Sequence, residues 1–385
     1  MITPARDRDG TYDGPDSVID LRSDLLSVPT DAMWEAMRAA ELGWATVGED
    51  ASANTLCERV AALLGKESGL WVPTCGMGNL VAMLTFCVPG DRVIVEAASH
   101  VMTSEAMGME EIARLVPRTL WAADGRMDPA AVSELVKGEG AALLVLENTH
   151  TRAGGTTLSV PLTQALAAAA KKHRARVHLD GARLVNASVA LGVPLADLAA
   201  PANSVVFSLN KGLSAPIGAV LAGSEQVVER ARLMLHRLGG ATVHRAGIPA
   251  AAGLVALDTM VDGIVDDHRR ARELGTLLAS IPGVTIQPEV IETNIVLADV
   301  AETGIEPARL VELLATAGLR VLERDTSRIR FVTHRLIGDE EVERAAAIMV
   351  DTVERHAVPP LEVPAPEGYD AELDRWDWET EEHEA

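Results

Sequence analysis

Between about residues 68 and 223 the chain alternates short β-branched runs with Ala- and Leu-rich stretches of helical length. That alternation leaves few folds open, because strands joined by helical crossovers lie parallel and a parallel sheet must be covered on both faces. The expected strands are 70–73, 93–96, 143–146, 177–180, 204–208 and 217–222. Helices are expected between them, among them 77–87 and 161–173, the latter with Pro161 in its first turn. Upstream lie an extended segment and two helices. The second of these, over 54–64, sets Leu56, Val60, Leu63 and Leu64 on one face and stops at Gly65.

Downstream, 224–238 and 247–281 read as long helices. A second alternating region runs through 294–300, 320–322 and 329–332 and closes with a helix over 339–356. A chain of 385 residues has room for two or three domains. The expected division is an N-terminal segment and helix (1–45), a large α/β domain (46–245), a linking helix with a small C-terminal α+β domain (246–358), and an acidic tail (359–385) carrying Trp376 and Trp378.

Composition excludes several classes of function. The formal charge of −22 opposes nucleic acid and anionic lipid, whose binding needs clustered Lys and Arg. Apolar runs such as 80–88 fall short of the ~20 residues that cross a bilayer. The first twenty residues have neither an apolar core nor an Arg-rich, acid-poor character, so the expected location is the cytoplasm. Three cysteines, Cys57, Cys75 and Cys87, form neither a disulfide framework nor a CxxC pair.

Four segments carry chemistry. In Phe207-Ser-Leu-Asn-Lys-Gly-Leu213 a lysine follows an apolar strand, at the edge of the sheet where ligands collect, although a solvated loop lysine is the ordinary reading of that segment alone. In Val177-His-Leu-Asp-Gly-Ala-Arg183 a carboxylate ends a buried strand and needs a cationic or protonated partner. A protonated pyridine nitrogen is one such partner; an ion pair with Arg183 is the alternative. Pro73-Thr-Cys-Gly-Met-Gly-Asn79 is a small-residue turn leading into a helix, whose first amides suit a phosphate. His100 lies just past the strand 93–96, with room to lie against a ring. No metal site is expected, since His100, His150 and His178 lack the usual ligand spacings.

Together with Asp20-Leu-Arg-Ser-Asp24, Val47-Gly-Glu-Asp50, Leu146-Glu-Asn-Thr-His-Thr-Arg-Ala-Gly-Gly155 and Arg330-Phe-Val-Thr-His334, these segments resemble the threonine aldolase and β-eliminating lyase family. The resemblance runs from about residue 20 to 334. It implies the aspartate-aminotransferase-like (type I) fold and pyridoxal 5'-phosphate as cofactor. It further implies that Lys211 holds the cofactor as an imine, that Asp180 faces the pyridine nitrogen, and that His100 stacks on the ring near the substrate β-hydroxyl. Cys75 and Gly76 would offer amides to the phosphate, and Ser23, Arg183 and Arg330 would hold the substrate carboxylate. The implied reaction is aldol cleavage of a β-hydroxy-α-amino acid to glycine and an aldehyde. The implied assembly is a homodimer or homotetramer with shared active sites.

Three departures from the family pattern fall near the substrate. Val47 stands where members commonly carry tyrosine. The segment 136–142 lacks a histidine that many members have there. Gly239-Gly-Ala-Thr-Val-His-Arg-Ala-Gly247 replaces a Gly-Gly-Gly-x-Arg-Gln-Ala-Gly pattern, so a phosphate contact would pass to His244 or Arg245 or be lost. The same apparatus can eliminate a β-leaving group, giving a 2-oxo acid and ammonia. A non-catalytic cofactor-binding relative is the remaining alternative, disfavoured by retention of Lys211, Asp180, Ser23, Arg183 and Arg330.

Overall fold

The computed structural model describes residues 18–105 and 107–357; the acidic tail, with Trp376 and Trp378, lies outside them. The first strand, β1 (Ile19–Asp20), is short. A seven-stranded sheet follows, built from β2 (Ser68–Val72), β3 (Arg92–Glu96), β4 (Val116–Leu120), β5 (Leu143–Glu147), β6 (Arg176–Gly181), β7 (Ser204–Ser208) and β8 (Ala219–Gly223). Their spatial order is β2-β8-β7-β6-β5-β3-β4. Only β8 runs against the rest, pairing antiparallel with both β2 and β7. The expected parallel α/β sheet is present.

β5 and β7 are buried along their whole length, and both faces of the sheet are covered by helices. That is why each reads as a mostly apolar run, Leu143–Leu146 and Val205–Phe207. β4 departs from the expected set of strands: its sequence VPRTL carries Pro117 and Arg118, which only an edge strand accommodates, and β4 is the edge. The strand expected from 217 begins at Ala219, because Gly218 takes a φ of 115° against the indole of Trp71.

The helix expected over 247–281 is two helices, Gly247–Thr259 and Ile264–Leu278, meeting at 71°. The segment 260–263 breaks it, and Gly263 caps the second helix. No single helix among the described residues is long and apolar enough to cross a membrane. The first helix buries Gly247, Ala250, Ala251, Ala252, Gly253 and Ala256 against Asp31–Ala39 and Ala51–Leu63. A Cβ at Gly253 would press on Leu56 and Leu209 at 3.1 to 3.2 Å, so small residues set how closely these helices approach.

The C-terminal part adds β9 (Ile295–Asp299), β10 (Leu319–Arg320), β11 (Leu322–Glu323) and β12 (Arg328–Val332). β11, β12 and β9 form an antiparallel sheet packed by the helices Ile264–Leu278 and Pro307–Thr316, and Asp339–His356 packs on both helices. β1 pairs parallel with β10, and Ile19 and Leu21 are buried in the same apolar cluster as Phe331, Leu274 and Met349. The N-terminal segment is thereby stitched into the C-terminal core.

Asp50 joins two of the helices that flank the large core. One carboxylate oxygen caps Ala51–Leu63 by accepting from Ala53 N (3.0 Å), and the other accepts from Gly247 N (3.1 Å). Asp50→Ala removes the cap and leaves a buried amide without a partner, which should cost about 2–4 kcal/mol. The melting temperature should fall accordingly, and an unchanged value would refute this account.

Candidate active site

The site forms at the carboxyl ends of the parallel strands, where an open α/β sheet collects ligands. β6 ends in Asp180, which is 1% exposed. One of its oxygens accepts from Asn79 Nδ2 (2.9 Å) and the other from the backbone amide of Ala182 (3.0 Å). The alternative ion pair with Arg183 is not formed; Arg183 pairs with Asp24 instead.

Behind Asp180 a chain of polar groups fixes the orientation of each member. Asn79 Nδ2 donates to Asp180 and to Glu105 (2.7 Å), so its Oδ1 must accept from His178 Nε2 (2.9 Å). His178 Nδ1 is then left to accept from Ser204 Oγ (2.7 Å). Complete burial pushes the pKa of His178 down to about 4, so the imidazole is neutral, as that pattern requires.

His100 opens the short helix His100–Thr103 and is one-third exposed, with Nδ1 3.0 Å from Glu105 Oε1. The hydrogen bond to Glu105 raises the pKa of His100, and burial followed by the Asp180 charge raises that of Glu105. Two groups that both gain proton affinity retain at least one proton between them near neutral pH. His100, Glu105 and Asp180 place ligand atoms within 4.8 Å of one another, a spacing a metal ion would accept. The space between the two carboxylates is however spanned by the donor amide of Asn79, which would face a cation with its hydrogens.

Glu147 at the end of β5 secures two loops. It accepts from the backbone amides of His100 (2.7 Å) and Thr151 (2.9 Å). Thr151 Oγ1 in turn accepts from Arg183 Nη1 (2.8 Å). The other edge of Arg183 forks onto buried Asp24, with Nε and Nη2 at 2.7 and 2.8 Å. Burial opposes charge on both partners, yet their mutual attraction raises Arg183 and holds the Asp24 carboxyl far below the usual range. Ser23 caps the turn Asp24–Leu26 by accepting from Leu25 N (3.2 Å), and its hydroxyl lies 3.4 Å from Asp24.

Arg330 on β12 donates Nη2 to the carbonyl of Arg22 (3.1 Å), while its buried Nε has no hydrogen-bond partner. Burial, followed by repulsion from Arg183, lowers its pKa to about 10. A buried guanidinium with an unsatisfied N–H facing a second guanidinium calls for an anion. Arg183 has its bidentate edge occupied by Asp24, so only its remaining hydrogens are open to a ligand.

Lys211 lies in the turn after β7, half-buried, with its carbonyl accepting from Ser214 N (2.8 Å). Its ammonium makes no hydrogen bond or ion pair among the described residues, though its charge acts on both Asp24 and Cys75. Cys75 and Gly76 are the first residues of the helix Cys75–Phe86, capped by Thr74 accepting from Met77 N (3.1 Å). Burial pushes the Cys75 thiol up to about 12, so no thiolate opposes an anion at that helix start. An unpartnered lysine, a buried carboxylate, first-turn amides and an arginine with an unsatisfied Nε thus fit pyridoxal phosphate and an amino-acid carboxylate.

Asn79, Glu105, Asp24, Thr151 and Glu147 were not singled out as site residues from sequence. Asn79, Asp24 and the Glu147/Thr151 pair do sit inside segments that carried the resemblance. Glu105, five residues past His100, had no such signal. His244 and Arg245 instead face the segment 43–46: His244 Nδ1 lies 2.9 Å from Thr46 Oγ1, and Arg245 donates to Gly43 O (2.6 Å).

Residues 20–303 match the family model described as β-eliminating lyase. The chain is 37% identical over 334 residues to low-specificity L-threonine aldolase 1 of Arabidopsis thaliana, covering 84% of this chain and 93% of that protein. Its fold is similar to that of a Leishmania major threonine aldolase (TM-score 0.72, 17% identity, covering 87% of this chain and 99% of that one). An aspartate aminotransferase from Rhodobacter sphaeroides is similar as well (TM-score 0.69, 19% identity, covering 91% and 96%). The fold is therefore aspartate-aminotransferase-like, as expected.

Asp24→Ala should destabilise the protein by about 3–5 kcal/mol at neutral pH, since it leaves Arg183 charged and buried without its partner. Because the folded carboxyl lies below its unfolded pKa of about 4, the contribution of Asp24 is complete above that pH and is lost as pH falls. Thermal melts from pH 7 to pH 3 should show parent and variant converging in acid. A constant gap would contradict the assignment.

Proposed function

The chain belongs to the β-eliminating lyase family of pyridoxal-phosphate-dependent lyases, and from that premise we propose that it cleaves a β-hydroxy-α-amino acid of the threonine type to glycine and an aldehyde. The observation that carries this reading is the grouping around Cys75 and Asp24: the charge of unpartnered Lys211 acts on both, that of buried Asp180 acts on Cys75, and Arg330, with its unsatisfied Nε, feels the charge of Asp24.

When bound, the cofactor supplies a ring that accepts the electron pair left on Cα as the Cα–Cβ bond breaks. Lys211 Nζ holds it covalently, and the amides of Cys75 and Gly76 bind its phosphate. Asp180, locked by Asn79 and Ala182, holds a proton at the pyridine nitrogen. Arg330, with Ser23 and the free hydrogens of Arg183, fixes the substrate carboxylate. That grip would set the orientation of the bonds at Cα and so would favour cleavage of Cα–Cβ over decarboxylation. His100 takes the β-hydroxyl proton, and Glu105 beside it passes one proton back and forth with the imidazole.

The same residues support β-elimination from a substituted alanine, and the products separate the two reactions. Val47 is half exposed, and a smaller residue at this position leaves room for a bulkier β-substituent than threonine carries. We also place the protein in the cytoplasm, as a homodimer or homotetramer sharing active sites.

Purified holoenzyme should show a visible band that Lys211→Ala lacks and that borohydride abolishes while fixing the cofactor to the protein. Glycine should appear in step with aldehyde when β-hydroxy-α-amino acids are supplied. Formation of 2-oxo acid and ammonia would move the assignment to elimination, and absence of the band after cofactor is added would overturn the role of Lys211. Arg330→Lys should raise KM about 10–100-fold through loss of a charge-assisted fork, while the band survives.

A further inference from the structure

A second polar cavity, of about 530 Å³, opens at the amino ends of the strands, the edge of the sheet opposite the active site. Arg176 begins β6 there, four residues before Asp180. Lys66, Lys171, Arg176 and Arg230 line it, together with Asn203 and the first turn of the helix Glu225–Arg237. In a chain of formal charge −22, four cations around one cavity are a marked local excess.

None of the four makes an ion pair among the described residues. Lys66 Nζ donates to Ala202 O and Lys171 Nζ to Pro201 O, each at 2.7 Å, so neighbouring carbonyls of one loop hold both ammoniums in place without neutralising them. The one carboxylate on the rim, Glu67, accepts from the backbone amide of Glu225 (3.0 Å) and is committed to that helix start. Asn203 Oδ1 accepts from Val177 N (2.9 Å), leaving only the donor end of this amide for a ligand. Burial and the Lys171 charge push the pKa of Lys66 down to about 8, while burial and Arg176 lower that of Lys171. Like charges are thus held together by the fold, an arrangement that an anion relieves.

We propose that this cavity binds a small multiply charged anion, with phosphate or carboxylate groups reaching Lys66, Lys171 and Arg176 together. The several fixed donors favour a compact ligand with two or more anionic groups over a single carboxylate. The acidity of the rest of the surface disfavours an extended polyanion such as nucleic acid.

Pyrophosphate and citrate titrated into cofactor-saturated enzyme by calorimetry give the test, with the visible band of the cofactor followed in parallel. At least one of them should bind with one-to-one stoichiometry, leave the visible band unchanged and weaken as salt is raised. The stronger of the two identifies the ligand as a phosphate or a polycarboxylate. Lys171→Ala/Arg176→Ala, two exposed positions, should weaken that binding at least ~10-fold without changing turnover. Binding that shifts the visible band, survives the double substitution or does not saturate would overturn the proposal, as would no binding of either anion. The cofactor assignment is independent of these outcomes, since it is read from the band itself.

Discussion

The buried pair of Arg183 and Asp24 ties together parts of the chain that are remote in sequence. Arg183 follows β6 of the large sheet, Asp24 belongs to the N-terminal segment, and Asn294 from the C-terminal part points its amide at the same carboxylate (3.4 Å). Two charges removed from water are tolerated only when hydrogen bonds hold them in good geometry, and here Thr151 answers a third donor of the arginine. The three segments must therefore meet in one geometry for the pair to be tolerated at all. That requirement also brings Arg330 against the same N-terminal segment, where it donates to the carbonyl of Arg22, one residue before Ser23.

The polar groups behind Asp180 do comparable work on a smaller scale. Asp180 accepts from Asn79, Asn79 from His178 and His178 from Ser204, so the direction of each bond follows from the one before. A neutral histidine is needed at the centre, and burial supplies it. The result is a carboxylate that cannot rotate, anchored on a helix and two strands of the rigid sheet. A buried carboxylate held in this way presents its charge in one fixed direction.

Much of the fold was legible because buried parallel strands leave an unambiguous mark. β5 and β7 were readable by their apolar runs Leu143–Leu146 and Val205–Phe207, since both of their faces are covered. β4 was not, because an edge strand tolerates Pro117 and Arg118 and so loses the pattern. The break at 260–263 was hidden for a related reason: the small, apolar stretch before it and the charged stretch after it are each good helix, and only the 71° turn between them shows where the chain changes core. Of the candidate site residues, Lys211, Asp180 and Arg330 stand inside motifs that the sequence displays. Glu105 and Asn79 act through one another across separate elements, a relation that no linear spacing records.

The two sides of the site carry opposite electrostatic character, and the chemistry depends on keeping them apart. Near Asp180, burial followed by the Asp180 charge raises Glu105, and the hydrogen bond to Glu105 raises His100. Around Arg330 a second guanidinium, Arg183, lowers the cost of bringing in a carboxylate, and Asp24 compensates only the inner edge of that pair. Under the proposed function, an amino acid entering this space would meet cations at its carboxylate and the His100–Glu105 pair at the other end, so charge would orient it before any covalent bond forms. Had Asp180 paired with Arg183, as the sequence alone allowed, one contact would have cancelled both fields. The segregation of Asp24 with Arg183 and of Asp180 with Asn79 is what leaves an acid end and a basic end for the substrate to bridge.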